Sequence, residues 1–592
     1  MALPNGFRTY NTYFHEAVSF LSDNSFLFKY ANTDILSKEI LKKLPVNWTK
    51  CIENLSIDEI AALPYSKCDI FDNFFSKLGN LSPILEECNG ERCGLDSGKN
   101  QKRIKGLSPK KQHEISELSE GIHKQCVMKE VNLIIDLGSG LGYLSQLLFE
   151  KYGHNVIGIE SNAKNIEQAC KRQENLFTNS KNNVKYVQHY ITSNSVDEIK
   201  VFCKELFSRG TDFLIVGLHA CADLTINAIK LFLDIDSCRG IFIMPCCYHK
   251  MHLKSDVCVK NEDLIKLHCT TKIEIDRDFE STEYKAENSV KVFENECTAR
   301  EKLPQIVDMN SLSQEFECFP LSVGLKECFR QFKAESFLQR PFLRLGCQRT
   351  QTSWKCYEKR VFHLLSRAVL ELYALKENAK LTKTKQRGVR RVESNKCDFS
   401  SFLEDAIGRG YVLEKPIIQV TQSQKRYNQI ILPECSPNAK ENSDDLFNKQ
   451  GIDPETILPE GFEKHLTKSV SLCSQKIQSK NKETVKSPQF ENNTLLKSET
   501  HKTEYCKRIL LDFDRIEINK LWNDLSEADF KAAALFMVLQ DSLQGLCENI
   551  ILVDKLAYIS EIKSNIVQDF RFVKVTDDKI SPRCLAFVAS KR

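Results

Sequence analysis

A strand that breaks into three alternating glycines constrains this chain more than any other stretch. Val131 to Leu144 reads VNLIIDLGSGLGYL. Val131 to Ile135 supplies the apolar run and Asp136 closes it; Gly138, Gly140 and Gly142 follow, and Leu144, Leu147 and Leu148 then recur at helical spacing. Glycine lacks a Cβ, so the backbone can turn tightly there and approach a ligand closely. The helix that follows opens with unpaired N–H groups. Strand, glycine turn and helix in this order predict a Rossmann-like α/β sheet with a nucleotide-like ligand over the turn.

Spacing narrows the ligand. A dinucleotide fingerprint reads G-x-G-x-x-G, whereas this loop reads D-L-G-S-G-L-G, with an acid two residues before the first glycine. It resembles motif I of S-adenosylmethionine-dependent methyltransferases. Downstream, Asn155 to Ile159 reads as a second strand ending in Glu160, a carboxylate placed to accept both ribose hydroxyls of an adenosine. The resemblance implies that Asp136, Gly138, Gly140 and Gly142 hold the methionine side of S-adenosylmethionine and that Glu160 holds its ribose.

The βαβ rhythm continues. A helix from about Ala163 to Phe177, a strand near Val184 to Ile191 and a helix containing Val201 to Leu206 lead to two further strands. The fourth strand, Asp212 to Leu218, runs into His219, Ala220, Cys221, Ala222 and Asp223. The fifth, Gly240 to Met244, runs into Pro245, Cys246, Cys247, Tyr248 and His249. Ligands of open α/β sheets lie beyond the carboxyl ends of the strands, so both polar tails should face the cofactor. Methyl transfer is an in-line displacement that needs alignment and somewhere for a proton to go. His219 is the candidate base, Asp223 a group to orient it or to take the proton, and His249 a contact to substrate phosphate or a second base. Structural alternatives are a strand-capping role for His219 and a helix N-cap role for Asp223. Two histidines and three cysteines also raise zinc, but they come from only two strand ends without a C-x-x-C pair, so no metal is assigned. The Asn or Asp, two prolines and aromatic of amino-group methyltransferases do not follow strand four, which disfavours adenine or cytosine amines as acceptors.

GLHACADLT, from Gly217 to Thr225, and MPCCYHKM, from Met244 to Met251, follow IIDLGSGLGYLS in an order that resembles the methyltransferase-like protein 25 family. The core alone is more remotely similar to tRNA 2′-O-methyltransferases of the acceptor stem, although the chain lacks the cysteine and histidine finger motifs those enzymes carry before the core. These resemblances imply a class I methyltransferase acting on RNA, with a protein acceptor or a non-catalytic interaction protein that retains the fold as alternatives.

At 592 residues the chain has room for several domains, and 83 Lys and Arg against 79 Asp and Glu exclude a polycation, so a nucleic-acid surface must be local. Between 376 and 396 eight Lys and Arg meet two Glu, a basic block suited to RNA phosphate, nuclear import or a solvated helix end. Twenty-four scattered cysteines, no basic-then-apolar start and no apolar run long enough for a bilayer predict a reduced, intracellular protein of cytoplasm or nucleus, off the membrane.

The expected organisation is a helical domain over 1–106, in which Ser56 and Glu59 form a capping box, and the first part of the core over 107–254. A mixed helical and basic insertion follows over 255–432, with arginines 340, 344, 349, 360 and 367 interleaved with aromatics and Ser400 or Ser401 capping a short helix. A disordered polar linker covers 433–504. The last helix and terminal strand pair over 505–592 then complete a seven-stranded sheet with helices on both faces, split by the insertion.

Overall fold

A computed structural model describes residues 3–66, 68–82, 107–207, 212–254, 315–347, 356–383, 398–416, 505–563, 566–577, 580–581 and 583–592. Residues 86–106, most of the basic block and the polar segment 433–504 lie outside these residues, as does Arg349. Two compact units are present, 1–411 with 510–592, and 412–509.

The first helices are α1 (Tyr10–Asp23), α2 (Val46–Ile52), α3 (Ile57–Ala62) and α4 (Asp69–Asn80). Thr9 caps α1 and the Ser56–Glu59 capping box opens α3, each satisfying backbone N–H groups that a helix start leaves unpaired. Ser108 and Pro109 then start α5 (Pro109–Met128).

The alternating core follows: β1 (Leu133–Leu137), α6 (Tyr143–Tyr152), β2 (Asn155–Glu160), α7 (Ala163–Leu176), β3 (Val184–Gln188), α8 (Val196–Phe207), β4 (Phe213–Cys221), α9 (Leu224–Asp234) and β5 (Cys238–Cys246). Beyond it come α10 (Val323–Phe332), α11 (Arg340–Gly346), α12 (Tyr357–Lys376), β6 (Lys380–Lys383), α13 (Phe399–Gly408), β7 (Tyr411–Pro416) and β8 (Tyr505–Ile509). The chain ends in α14 (Asp512–Asn523), α15 (Glu527–Lys563), β9 (Val567–Lys574) and β10 (Leu585–Lys591). Asp398, not Ser400 or Ser401, caps α13, its carboxylate accepting from the Ser401 N–H at 2.9 Å.

Seven strands form one sheet in the order β3-β2-β1-β4-β5-β10-β9. β1 to β5 run parallel, and β10 is antiparallel to both β5 and β9. The order reverses between β1 and β4, which opens the crevice above the carboxyl ends where a ligand can lie. β7 and β8 pair antiparallel, with Val412 opposite Ile509.

Strand alternation divides the core. Leu133, Ile135 and Leu137 of β1 join one hydrophobic cluster, while Ile134 joins another containing Ile115, Leu118 and Ile122 of α5 and Leu144 and Leu148 of α6. Asp136 shares the side of Ile134, so its carboxylate points toward the layer of α5 and α6. On the opposite side, α15 shares its apolar core with α1, α3, α10 and α11. The Asp554 carboxylate of α15 accepts from the Leu321 and Ser322 N–H groups and the Ser322 hydroxyl at 2.8, 2.9 and 2.6 Å, pinning the segment before α10. Among the described residues, no helix is long and apolar enough to cross a membrane.

Candidate active site

The glycine loop is built by two separate demands. Gly138, Gly140 and Gly142 all hold left-handed backbone, at φ of +71°, +58° and +69°, which side chains with a Cβ rarely adopt. A Cβ on Gly142 would stand 2.0 Å from the Tyr186 hydroxyl, so this glycine makes room for a side chain of β3. Gly140 is different: a Cβ there meets nothing nearer than the Gly138 carbonyl at 4.0 Å. Open space thus lies above the middle of the loop.

Glu160 ties this loop to the end of β2. Its carboxylate accepts from the Gly140 N–H at 3.0 Å and from the Asn162 N–H at 2.9 Å. Each carboxylate oxygen can take a further donor, so the group remains able to accept hydroxyl hydrogen bonds. Asp136 lies fully buried and accepts from the Ser145 hydroxyl at 2.6 Å. Burial pushes its pKa up to about 6 against the lowering effect of Ser145, and the nearby Glu160 charge adds to the rise. The Tyr186 hydroxyl accepts from Gln146 Nε2 at 3.0 Å, and burial holds its phenol well above the ordinary range.

At the β4 end, pairing with β5 slips between Gly217 and Ala220, leaving His219 in a bulge with φ of +64°. Its Nε2 lies 3.1 Å from Glu114 Oε2 of α5. Glu114 is buried, and its other oxygen accepts from the Ser581 hydroxyl at 2.5 Å. Burial alone would raise the Glu114 pKa; the bonds from His219 and Ser581 outweigh it and hold the carboxyl below its ordinary value.

Asp223 does not orient His219. Its Oδ2 accepts from the His252 N–H at 3.0 Å and faces His252 Nδ1 at 2.6 Å. It occupies the N-cap position of α9 without a capping bond from its side chain, so the helix-cap alternative fails as well. His249 stands apart from both, with Nδ1 3.3 Å from Cys347 Sγ of the turn after α11. Burial and then the Arg344 charge keep its pKa below the ordinary imidazole value.

Three cysteines converge between these tails. Cys221 Sγ lies 3.0 Å from Cys246 Sγ, and the sulfurs of Cys221, Cys246 and Cys247 all fall within 4.8 Å of one another. Ala222 and Cys247 both hold left-handed backbone, at φ of +55° and +54°. Arg583, from the connection between β9 and β10, donates to Cys247 Sγ at 3.7 Å. Hydrogen bonds from Cys221 and Cys246, together with the Arg583 charge, drive the Cys247 thiol well below its ordinary pKa, while Cys246 is driven up.

Sequence reasoning missed Glu114, Ser581 and Arg583. Glu114 left a trace, because it falls four residues before Leu118 and eight before Ile122, on the buried stripe of α5. Near Glu114, Lys110 Nζ reaches its carboxylate at 3.9 Å and Lys111 Nζ lies 5.7 Å from the Tyr143 ring centroid.

The strand order, the glycine turn after β1 and the acid ending β2 define the core as a class I methyltransferase fold. Residues 110–254 match the family described as "Methyltransferase domain". The chain is similar to "Probable methyltransferase-like protein 25" of Homo sapiens, 42% identical over 79 residues, and to its namesake of Mus musculus, 44% identical over 80 residues. Each alignment covers 13% of this chain and 13% of the relative, so the chain spans about an eighth of the length of the curated relatives it matches. Among solved structures, a SAM-dependent methyltransferase from Thiobacillus denitrificans in complex with S-adenosyl-L-homocysteine overlaps 22% of this chain and 47% of its own, at 18% identity and a TM-score of 0.16.

Proposed function

We propose that this chain is an S-adenosylmethionine-dependent methyltransferase, with RNA as the first acceptor class to test. The observation that carries the proposal is the open space at Gly140, bounded by the Glu160 carboxylate and underlain by buried Asp136. These residues fit the cofactor: Glu160 retains acceptor capacity for ribose hydroxyls, and Asp136 places negative charge beneath a loop that would receive a cation. When bound, S-adenosylmethionine supplies an electrophilic methyl group on a sulfonium.

This chain's own residues then align the acceptor and move its proton. Glu114 holds the proton of His219 on Nε2, which leaves Nδ1 as the basic nitrogen and stabilises the imidazolium once formed. Asp223 and His252 make a second acid–imidazole pair at the same edge, available for positioning the acceptor. His249, kept neutral and turned to Cys347, fits a wall of the site better than a phosphate contact.

The RNA preference rests on the basic block over 376–396, of which 384–396 lies outside the described residues. Two arginines of the helical insertion are engaged within the protein: Arg340 donates to the His249 carbonyl at 2.5 Å, and Arg360 pairs with Asp541 at 2.6 and 2.9 Å. Transfer of labelled methyl groups to fractionated cellular RNA and protein tests the proposal. Label in RNA, lost with Glu114→Gln, is the expected outcome. Label in protein alone would transfer the reading to a protein acceptor, and cofactor binding without label in either fraction would favour a non-catalytic interaction protein.

A further inference from the structure

Cys221, Cys246 and Cys247 have no part in holding the cofactor or moving the proton, yet they form the densest group of metal-ligating atoms among the described residues. We propose that they bind a soft divalent cation, zinc in the first instance, as a three-thiolate site with its fourth position left for a ligand from solution.

Position brings the ligands together. Cys221 and Cys246 are direct partners in the register of β4 and β5, so their side chains start from adjacent backbones. The left-handed turn at Cys247 brings the third sulfur back toward them, within 4.8 Å of the other two. Zinc–thiolate bonds of about 2.3 Å require sulfurs roughly 3.8 Å apart in a tetrahedral site. The Cys221–Cys246 separation of 3.0 Å and the 4.8 Å limit that holds all three sulfurs bracket that spacing.

Charge points the same way. Three thiolates and one divalent cation leave a net negative charge, and Arg583 already places a guanidinium on Cys247 Sγ. Such a donor both favours the thiolate and stabilises the loaded site from its outer side. Binding releases the protons still held on the thiols. His249 lies two residues beyond Cys247, but its ring nitrogens fall outside the group of sulfurs that lie within 4.8 Å of one another, so this imidazole does not complete the set. Thiolates select zinc over hard cations such as magnesium or calcium, which take oxygen ligands.

The test uses the full chain, purified without a histidine tag under thiol-reducing conditions, loaded with zinc, desalted and analysed for metal. The expected content is about one zinc per chain. Cys246→Ser with Cys247→Ser should lower it at least about tenfold, and Arg583→Gln should weaken retention against a chelator by about tenfold. Cys356→Ser, at an exposed position, serves as a control that leaves it unchanged. Cobalt loading of the wild type gives a reading that does not depend on a variant's folding: intense thiolate-to-cobalt absorption with tetrahedral visible bands is expected. Absence of that absorption, zinc retained in full by the double variant, or recovery of Cys221 and Cys246 as a disulfide from reduced, zinc-loaded protein would each overturn the proposal.

Discussion

A carboxyl buried beneath a cation must share its titration with that cation. Asp136, with its pKa raised to about 6 by burial and facing Glu160 and Tyr186, binds its proton more tightly in the fold than in a free chain. Its contribution to stability is therefore complete below the ordinary carboxylate range and is lost as pH rises through about 6. A cationic ligand over the loop favours the ionised form. Cofactor affinity should accordingly climb as pH rises through about 6, with a proton released on binding that calorimetry in buffers of different ionisation enthalpy detects. Asp136→Asn should flatten that dependence. At the other end of the site, Glu114→Gln should lower turnover by roughly 10²-fold or more and alter its pH profile while leaving cofactor affinity intact, as rapid-quench assays and calorimetry would show. The positions of Asp136, the glycines and Glu160 at the ends of β1 and β2 were legible in the sequence because they are set by neighbours in the chain. The Glu114–His219 pair was not: its members are 105 residues apart and meet only when α5 crosses the end of β4. For the same reason Asp223 went to His252, whose position depends on the turn after β5.

At the level of elements, β10 matters most, because it is interior to the sheet and joins β5 to β9. Deleting the last ten residues removes Arg583 and the whole of β10 and exposes a sheet edge beside β5. Such a truncation should be insoluble or lack a cooperative thermal transition, and a soluble truncation that binds cofactor would contradict this topology. Gly142→Ala tests a smaller joint. Its Cβ has no place beside the Tyr186 hydroxyl, and the left-handed backbone adds strain, so a loss of at least about 1 kcal/mol in denaturant unfolding is expected. Strand and helix types in the core were readable from apolar periodicity and the terminal strand pair from its two short runs. The last long helix runs 37 residues, because no Pro interrupts Glu527–Lys563 and its apolar positions are buried on several sides.

In the molecule as a whole, described segments between β5 and β9 from the same compact unit pack on the core. Tyr248 after β5 donates to Glu548 of α15 at 3.1 Å, and Asp554 of the same helix fixes the start of α10. Helices α1 to α4 before the sheet and α10, α11, α12 and α15 after it therefore share one apolar interior with the core. Composition could not show this, since it records which residues are apolar but not which segments cover them. The proposed cofactor site is the loop over Asp136 closed by Glu160, and calorimetric titration of the full chain with S-adenosylmethionine measures it most directly, beside Glu160→Ala and Gly140→Asp. Aspartate tolerates left-handed backbone better than most residues, so the second variant should fold while filling the open space with negative charge. Saturable binding at about one site per chain, lost in both folded variants, is the expected result. Absence of binding to folded wild-type protein free of co-purified cofactor, or equal binding by the variants, would contradict the account.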